Sequence, residues 1–297
     1  MERVIATESG LVGGRRGRGR SISWRGIPFA APPLGDKRFR APQPPESWRG
    51  VRECDSFGDA LIQEKYLTLT TPLKLQPMSE DCLTLNVFSP DSVPTAPRPV
   101  MVFIHGGGFL MGMAATPIYD GTHLARNQDV VVVTIQYRFG PFGFLDFTDY
   151  ADPEHPYETN LGLRDQIAAL EWVQRNIAAF GGDPGRVTIA GQSAGGGAVT
   201  TLLGMEAAQH LFHGAYCMSG AVNALPAARA QSLGRSLAER AEVSPTRAGW
   251  SAVTEERVLE LQEAETSINL RTLKSMRTGG LPLGPTVDGD LIPRSPL

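Results

Sequence analysis

A serine flanked by glycines is the first feature of this 297-residue chain that could carry out chemistry. Residues 191–195 read Gly-Gln-Ser-Ala-Gly, the G-x-S-x-G form that exposes a serine hydroxyl on a tight turn between a strand and a helix. Residues 187–190 are β-branched and apolar, as in a buried strand, and residues 198–203 are typical of a packed helix. A glycine-rich turn without function is the alternative. The flanking elements favour a nucleophile elbow that presents Ser193.

A second glycine motif follows another apolar segment. Residues 100–104 predict a central strand, and His105 with three glycines comes directly after it. Ligands of open α/β sheets bind at the carboxyl ends of strands. The N–H groups of Gly107, Gly108 and Ala194 could therefore hold the oxyanion of a tetrahedral intermediate. A flexible turn or a phosphate loop is the alternative for a lone triple glycine, but the lysine of a phosphate loop is missing. The two motifs together indicate acyl-transfer chemistry.

The remaining chain alternates between predicted strands and helices. The predicted elements are strands over 83–88, 129–137 and 215–218 and helices over 160–180, 227–241 and 255–265. The first of these strands alternates like a half-exposed strand, whereas the other two are apolar like buried strands. This order predicts an α/β fold with a mostly parallel central sheet and helices on both faces. The helical stretch after Ser219 is interpreted as an insertion over the carboxyl edge of the sheet.

The amino-acid composition and the net charge limit the classes of protein to which this chain can belong. Hydrophobic residues make up 41% and charged residues 20%, with a formal net charge of −3, which fits a globular protein with a large core. The charge argues against a nucleic-acid partner and against binding to acidic membranes, and it favours neutral ligands. No apolar run is long enough to cross a bilayer and no signal peptide is evident, so we expect a cytoplasmic protein. Its three cysteines are expected to be buried thiols.

Arginine and glycine crowd residues 15–20, which could suggest an RNA-binding tail. Strand-like segments on both sides, at 11–13 and 21–24, favour a solvated hairpin loop instead. No aromatic residues are interleaved to stack on bases. Between residues 26 and 48, prolines predict a long irregular surface segment.

Taken together, these stretches resemble the type-B carboxylesterase and cholinesterase family of the α/β-hydrolase fold almost from end to end. Besides the two glycine motifs, the resemblance rests on residues 26–30, 80–87, 137–145 and 160–166. It implies one α/β-hydrolase domain over residues 1–297 and a carboxylesterase that hydrolyses a small-molecule carboxylic ester through an acyl-enzyme. It implies no cofactor, no metal and no membrane partner.

The resemblance also assigns roles to individual residues. Ser193 would be the nucleophile, and the N–H groups of Gly107, Gly108 and Ala194 would form the oxyanion hole. His105 would be structural and would not act as the base.

Two ion pairs of the family would map to Arg138 with Asp165 and to Arg38 with Glu80. They would brace the loops beside the site, although either could be an ordinary surface pair of little energetic worth. Ser219 would place a hydroxyl near the nucleophile.

Three departures from the family pattern stand out. Gln192 occupies a position that is usually Glu, which removes a charge but no catalytic atom. In secreted members the cysteine at the position of Cys82 pairs with an earlier cysteine. Leu61 stands at that earlier position here, so no disulfide is expected. Family members also carry an acid and then a histidine well downstream of the serine, whereas no histidine follows His213 here.

The remaining histidines are poor candidates for the general base. His210 and His213 are interpreted as surface residues, and His123 and His155 precede Ser193 in polar loops. We therefore expect the fold to be C-terminally incomplete, without the part that carries the acid and the base. Because losing the histidine of such a triad costs about 10⁶ in kcat, the chain alone should be nearly inactive.

An incomplete sheet would leave the strand at 215–218 as an open edge, which could recruit a C-terminal complementing chain or lead to self-association. Two alternative interpretations remain. A non-catalytic cholinesterase-like binding protein would share the fold, but such relatives tend to lose the nucleophile, and Ser193 is present. A hormone-sensitive-lipase-like esterase would share the glycine motifs, but the proline-rich first third fits that family badly.

Overall fold

The computed structural model of the chain describes residues 3–17, 20–64, 76–151, 153, 156–221, 224–266 and 282–294. Its strands are β1 (Arg3–Thr7), β2 (Gly10–Arg16), β3 (Ser21–Pro28), β4 (Val51–Glu53), β5 (Thr84–Pro90), β6 (Arg98–Ile104), β7 (Val131–Ile135), β8 (Gly182–Gln192), β9 (Gly214–Met218), β10 (Leu225–Pro226) and β11 (Thr286–Val287). Its helices are α1 (Thr122–Gln128), α2 (Gly140–Phe144), α3 (Leu161–Asn176), α4 (Ala194–Leu203), α5 (Glu206–Gln209), α6 (Ala227–Arg240), α7 (Arg247–Ser251) and α8 (Glu255–Thr266). None of the described helices is long and apolar enough to span a bilayer.

Nine of the described strands form one mixed sheet in the order β1-β2-β3-β5-β7-β6-β8-β9, with β4 beside β2. The pairings from β7 through β6 and β8 to β9 are parallel. The pairings from β1 through β2, β3 and β5 to β7 are antiparallel. The α/β prediction is confirmed, and the continuous run of parallel strands is the half of the sheet that carries both glycine motifs, while β4 also pairs with β2 in parallel. The turns from β1 to β2 and from β2 to β3 are short, and short turns can join only antiparallel neighbours.

Helices cover both faces of the sheet. Phe88 of β5 and Val132 of β7 pack with Ala125 of α1 on one face. Their sequence neighbours Val87 and Val133 belong to the main core, together with apolar residues of α3 and α4. Successive residues of a strand point to opposite faces, so the two clusters lie on opposite sides of the sheet.

The predicted helices agree with the structure. The segment 160–180 forms α3 and a 3-10 turn (Ile177–Phe180), which ends at Gly181 with φ of 88°. Helices α6 and α8 match the predictions over 227–241 and 255–265. The charged segment at 15–20 connects the antiparallel strands β2 and β3, as predicted for a hairpin, although residues 18–19 lie outside the described part.

The prediction of a half-exposed strand over 83–88 is wrong. Strand β5 is buried on both faces from its second residue onward. Its polar residue Asn86, which suggests a solvent-facing side, is buried because its amide donates to Thr134 Oγ1 at 2.9 Å and accepts from the Gly26 N–H at 3.0 Å. A polar side chain with both hydrogen-bonding groups satisfied costs little to bury.

The prediction of a buried strand over 215–218 is also wrong. Strand β9 is the last strand of the sheet order, and its Tyr216 is 58% exposed. Cys217 is exposed as well, so the expectation of buried thiols holds only for Cys54 and Cys82. Burial raises the pKa of Cys54 to about 11. The residues of β9 are exposed because β8 is the only described strand that pairs with it.

Candidate active site

Ser193 lies on the turn that joins strand β8 to helix α4. Its φ of 56° and ψ of −121° fall in a region that non-glycine residues rarely occupy, at a cost of about 1–3 kcal/mol. Two hydrogen bonds hold this conformation: the Ser193 N–H donates to the Met218 carbonyl at 2.8 Å, and its own carbonyl accepts from the Gly197 N–H at 2.9 Å. A strained serine between a strand and a helix is the geometry that the G-x-S-x-G motif predicts.

The glycines on either side of Ser193 permit very close packing. A β-carbon on Gly191 would lie 2.3 Å from the Gly195 carbonyl oxygen. A β-carbon on Gly195 would lie 2.1 Å from the carbonyl oxygen of Ile104, at the end of β6. The first turn of α4 therefore packs directly on the carboxyl ends of both strands.

The second glycine motif contacts this elbow. Strands β6 and β8 are parallel neighbours in which Ile104 pairs with Gly191, so the loops after them begin at the same level. We call residues 105–112 the glycine loop. A β-carbon on Gly106 would lie 3.1 Å from Ser193 Cβ. Ser193 is half-buried, and its hydroxyl has no hydrogen-bond partner in the described part of the chain.

The peptide units of the glycine loop are held by their carbonyl groups. The Gly106 carbonyl accepts from His105 Nδ1 at 2.8 Å, and the Gly107 carbonyl accepts from the N–H groups of residues 110 and 111, both at 3.1 Å. In a trans peptide, the carbonyl and the following N–H point in opposite directions. The N–H groups of Gly107 and Gly108 therefore point away from these partners.

The N–H groups of Gly107, Gly108 and Ala194 donate no hydrogen bond to any of the described residues. Gly107 and Gly108 have φ values of +128° and +66°, a backbone conformation that favours glycine. Ala194 is the first residue of α4, where N–H groups lack partners within the helix and the helix dipole favours negative charge. The predicted donors thus lie on two adjoining loops with free N–H groups.

His105 is enclosed beneath the glycine loop. Its ring stacks on Tyr137 with centroids 4.5 Å apart, and the Tyr137 hydroxyl donates to the His105 carbonyl at 2.9 Å. Burial lowers the pKa of His105 to about 4, against the opposite effect of its bond to Gly106. The imidazole is therefore neutral at pH 7 with its hydrogen on Nδ1, because its partner is a carbonyl that can only accept. These contacts agree with a structural role.

Arg138 and Asp165 form a buried bidentate ion pair. The guanidinium Nε and Nη2 contact the carboxylate at 2.8 and 2.7 Å, and the Arg138 backbone N–H donates to it at 3.0 Å. Burial alone would lower the pKa of Arg138, but the charge and hydrogen bonds of Asp165 outweigh it and raise the pKa. The alternative interpretation, in which Arg138 and Asp165 form an ordinary surface ion pair, is therefore wrong.

Arg38 and Glu80 form a second buried pair, at 2.7 Å. Arg38 Nη1 also donates to the carbonyls of Trp250, Ser251 and Val253, at 3.3, 3.1 and 2.6 Å. This arginine therefore binds the carboxyl end of α7 to the N-terminal part of the chain.

None of the other described histidines has a contact with Ser193. His213 lies just before β9, at the end of that strand away from Ser193, and the length of the strand separates them by about 16 Å. His210 and His123 are exposed, and the ring of His123 contacts a neighbouring side chain on α1. His155 lies outside the described residues.

Two predicted neighbours of the serine are solvent-facing. Gln192 immediately precedes Ser193 and is exposed. Ser219 follows the residue whose carbonyl binds the Ser193 N–H, and its side chain is exposed with a backbone φ of 51°.

Gln63 contacts the glycine loop, and nothing in the sequence predicts this contact. Its side-chain oxygen accepts from the Gly112 N–H at 2.8 Å, and its side-chain nitrogen donates to the Gly112 carbonyl at 2.9 Å. No periodicity or motif marks Gln63, because the contact joins segments that are far apart in sequence.

Comparisons with known proteins identify the family of the chain. The model of the carboxylesterase family matches residues 1–297. The para-nitrobenzyl esterase of Bacillus subtilis (strain 168) is 46% identical over 229 residues, which cover 77% of this chain and 46% of that relative. Carboxylesterase 1D of Rattus norvegicus is 41% identical over 288 residues, which cover 91% of this chain and 50% of that relative.

A solved structure of a thermophilic PNB esterase superposes with a TM-score of 0.90 at 37% identity, and the match covers 100% of this chain and 59% of that one. The chain spans about half the length of the curated relatives that it matches. The family match extends over the whole sequence and includes both loops of the site, and on that basis the chain belongs to the carboxylesterase family.

Proposed function

We propose that this chain supplies the nucleophile and the oxyanion hole of a carboxylic ester hydrolase. Ser193 is the nucleophile, and the N–H groups of Gly107, Gly108 and Ala194 bind the oxyanion. The observation that carries the proposal is the strained Ser193 on a strand-to-helix turn, beside a loop in which the N–H groups of Gly107 and Gly108 have no partner among the described residues. Such backbone strain is kept where the surrounding structure fixes it, commonly at active sites.

In this mechanism, Ser193 Oγ attacks the carbonyl carbon of the ester and gives up its proton to a general base. The carbonyl oxygen becomes an oxyanion, which accepts hydrogen bonds from the three N–H groups. Each donor of this kind contributes about 3–4 kcal/mol of transition-state stabilisation. The intermediate collapses to an acyl-enzyme as the base returns the proton to the leaving alcohol, and water then hydrolyses the acyl-enzyme by the same route.

The substrate we propose is a small uncharged carboxylic ester. The chain has a formal net charge of −3, which provides no strong field to attract a charged ligand. Gln192, next to the nucleophile, also adds no charge. Two relatives have names that specify ester substrates, a para-nitrobenzyl esterase and a cocaine esterase of Oryctolagus cuniculus.

We further propose that the general base and its acid come from polypeptide outside the described residues. His105 is buried beneath the loop, His213 lies at the opposite end of β9 from Ser193, and His123 and His210 are exposed. Strand β9 has no strand on its outer edge among the described residues, and it ends at Met218, whose carbonyl holds the Ser193 N–H. A complementing segment that adds a strand at this edge could therefore reach the serine.

The test compares two proteins. One is this chain alone, and the other is this chain fused to the segment that follows the matching region in the para-nitrobenzyl esterase of Bacillus subtilis. Hydrolysis of p-nitrophenyl butyrate by the fusion should exceed that of the chain alone by up to about 10⁶-fold in kcat. The fusion should lose this activity in the variant Ser193→Ala.

A folded fusion without Ser193-dependent hydrolysis would contradict the proposal. That outcome would favour the second candidate, a non-catalytic binding protein of the same fold. The position of the described histidines away from Ser193 is the observation that keeps this candidate open.

A further inference from the structure

Gln63 holds the far end of the glycine loop by both of its amide atoms. Besides its two hydrogen bonds to Gly112, its nitrogen donates to the Leu61 carbonyl at 3.0 Å. The side chain is buried, with 7% of the residue exposed. A buried amide with three hydrogen bonds has one orientation, so it fixes the position of the Gly112 backbone.

Gly112 packs directly on the hydrogen bond between His105 and Gly106. A β-carbon on Gly112 would lie 2.4 Å from His105 Nδ1 and 2.3 Å from the Gly106 carbonyl oxygen. Its φ of +123° also favours glycine. The imidazole and the Gly106 carbonyl therefore cannot move toward Gly112, and Gly112 cannot move while Gln63 holds it.

The Gly106 carbonyl shares a planar peptide unit with the Gly107 N–H. Any rotation of this unit that moves the carbonyl away from His105 Nδ1 turns the N–H by the same angle. The direction of this oxyanion donor therefore depends on contacts that run from Gln63 through Gly112 to His105 and Gly106.

We propose that Gln63 is a positioning residue for the oxyanion hole and acts through Gly112 on the direction of the Gly107 N–H. The inference rests on the proposed function, because it concerns the site of Ser193. The other two donors are held separately, Gly108 by the bonds to the Gly107 carbonyl and Ala194 by helix α4. Loss of Gln63 should therefore weaken the oxyanion hole without abolishing it.

The experiment uses the fusion protein described above and the variants Gln63→Met and Gln63→Glu. Gln63→Met removes all three hydrogen bonds at similar size, and Gln63→Glu keeps the acceptor for the Gly112 N–H but places an oxygen against two carbonyls. Gln43→Met is the matched control, because Gln43 is exposed and the one hydrogen bond of its side-chain amide to a described residue goes to the nearby Ala41 carbonyl. Urea unfolding identifies which variants are folded.

Four quantities are measured for each folded variant: kcat and KM for p-nitrophenyl butyrate, the inhibition constant of a trifluoromethyl ketone, and the inhibition constant of the corresponding alcohol. The ketone adds to the serine and places an oxyanion in the hole, whereas the alcohol only occupies the pocket. We expect kcat and the affinity for the ketone to fall together, by about 10- to 100-fold. KM and the affinity for the alcohol should stay near those of the parent and of Gln43→Met.

Unchanged kcat and ketone affinity in a folded Gln63 variant would overturn the inference. So would an equal loss of affinity for the ketone and the alcohol, because that pattern indicates general damage to the pocket. The variant Ser193→Ala separates the two proposals: its retention of full activity would overturn the proposed function itself, whereas an inactive Ser193→Ala with unaffected Gln63 variants would overturn only the role of Gln63.

Discussion

The carbonyl oxygen of Ile104 lies 2.1 Å from the point where a β-carbon on Gly195 would stand. This contact joins the end of strand β6 to the first turn of helix α4. It also sets the distance between the two loops of the site, because the glycine loop begins immediately after Ile104. Only a glycine at position 195 allows the end of β6 and the first turn of α4 to pack at this distance.

Replacing Gly195 by alanine should therefore destabilise the protein. The new methyl group forces the helix away from β6, and overpacking of this kind costs about 1–3 kcal/mol. The control is Gly204→Ala, where the nearest atom to the new β-carbon would be 3.5 Å away and the change should stay within about 0.5 kcal/mol. Urea unfolding followed by tryptophan fluorescence measures both, and equal effects of the two substitutions would contradict the packing argument.

Removing one partner of the buried ion pair should have a large effect on stability. Asp165→Asn leaves the Arg138 guanidinium buried without its counter-charge, for which we expect a loss of about 3–5 kcal/mol. Asp149→Asn is the comparison, because Asp149 and its partner Arg235 are both about 40% exposed. Exposed pairs contribute about 0–1 kcal/mol. A loss of the same size in both variants would show that burial does not determine the strength of the pair.

Stability should depend on pH through His105. Its pKa is about 4 in the folded protein, below the ordinary value of 6.5. Between these values the unfolded chain binds a proton that the folded chain excludes, so the free energy of unfolding falls as pH drops from about 6.5 to about 4. The loss reaches about 3 kcal/mol and levels off below pH 4.

The variant His105→Asn tests this assignment. Its amide can still donate to the Gly106 carbonyl, but it has no proton to bind. Unfolding free energies measured in urea between pH 4 and 7 should show a smaller dependence on pH than those of the parent, and the same substitution at the exposed His210 is the control. If the unfolding free energy of His105→Asn depends on pH as steeply as that of the parent, groups other than His105 cause the pH dependence.

The exposed edge strand should cause self-association. Among the described strands, only β8 pairs with β9, and the Tyr216 side chain on β9 is exposed; such edges pair with other strands. Tyr216→Lys places a charge on this edge and should lower the sedimentation-measured association of the chain. Ile118→Lys, which replaces an 81% exposed residue elsewhere, serves as the control. A monomeric parent, or equal effects of both variants, would contradict the role of the edge.

The elbow and the glycine loop could be predicted from sequence because their geometry is local. Glycine spacing, a preceding apolar strand and a following helix specify the turn at Ser193 within a few residues. Strand β6 and the helix over 161–176 were likewise predictable from apolar runs and periodicity. The free N–H groups follow from the same short motifs.

Burial and long-range contacts could not be predicted in this way. The exposure of β9 depends on what lies beside it in the sheet, and its apolar sequence is the same for a central or an edge strand. Asn86 indicates a solvent-facing side, but Thr134 satisfies its amide inside the protein. Gln63 reaches Gly112 across 49 positions, and no local pattern encodes that contact.

Covalent labelling tests the central claim most directly. The fusion protein is treated with a fluorophosphonate, digested, and analysed by mass spectrometry, with Ser193→Ala treated in parallel. The account predicts one phosphonyl group per chain, located on Ser193, and no adduct in the variant. An adduct on another residue, or equal labelling of Ser193→Ala, would contradict the assignment of Ser193 as the nucleophile.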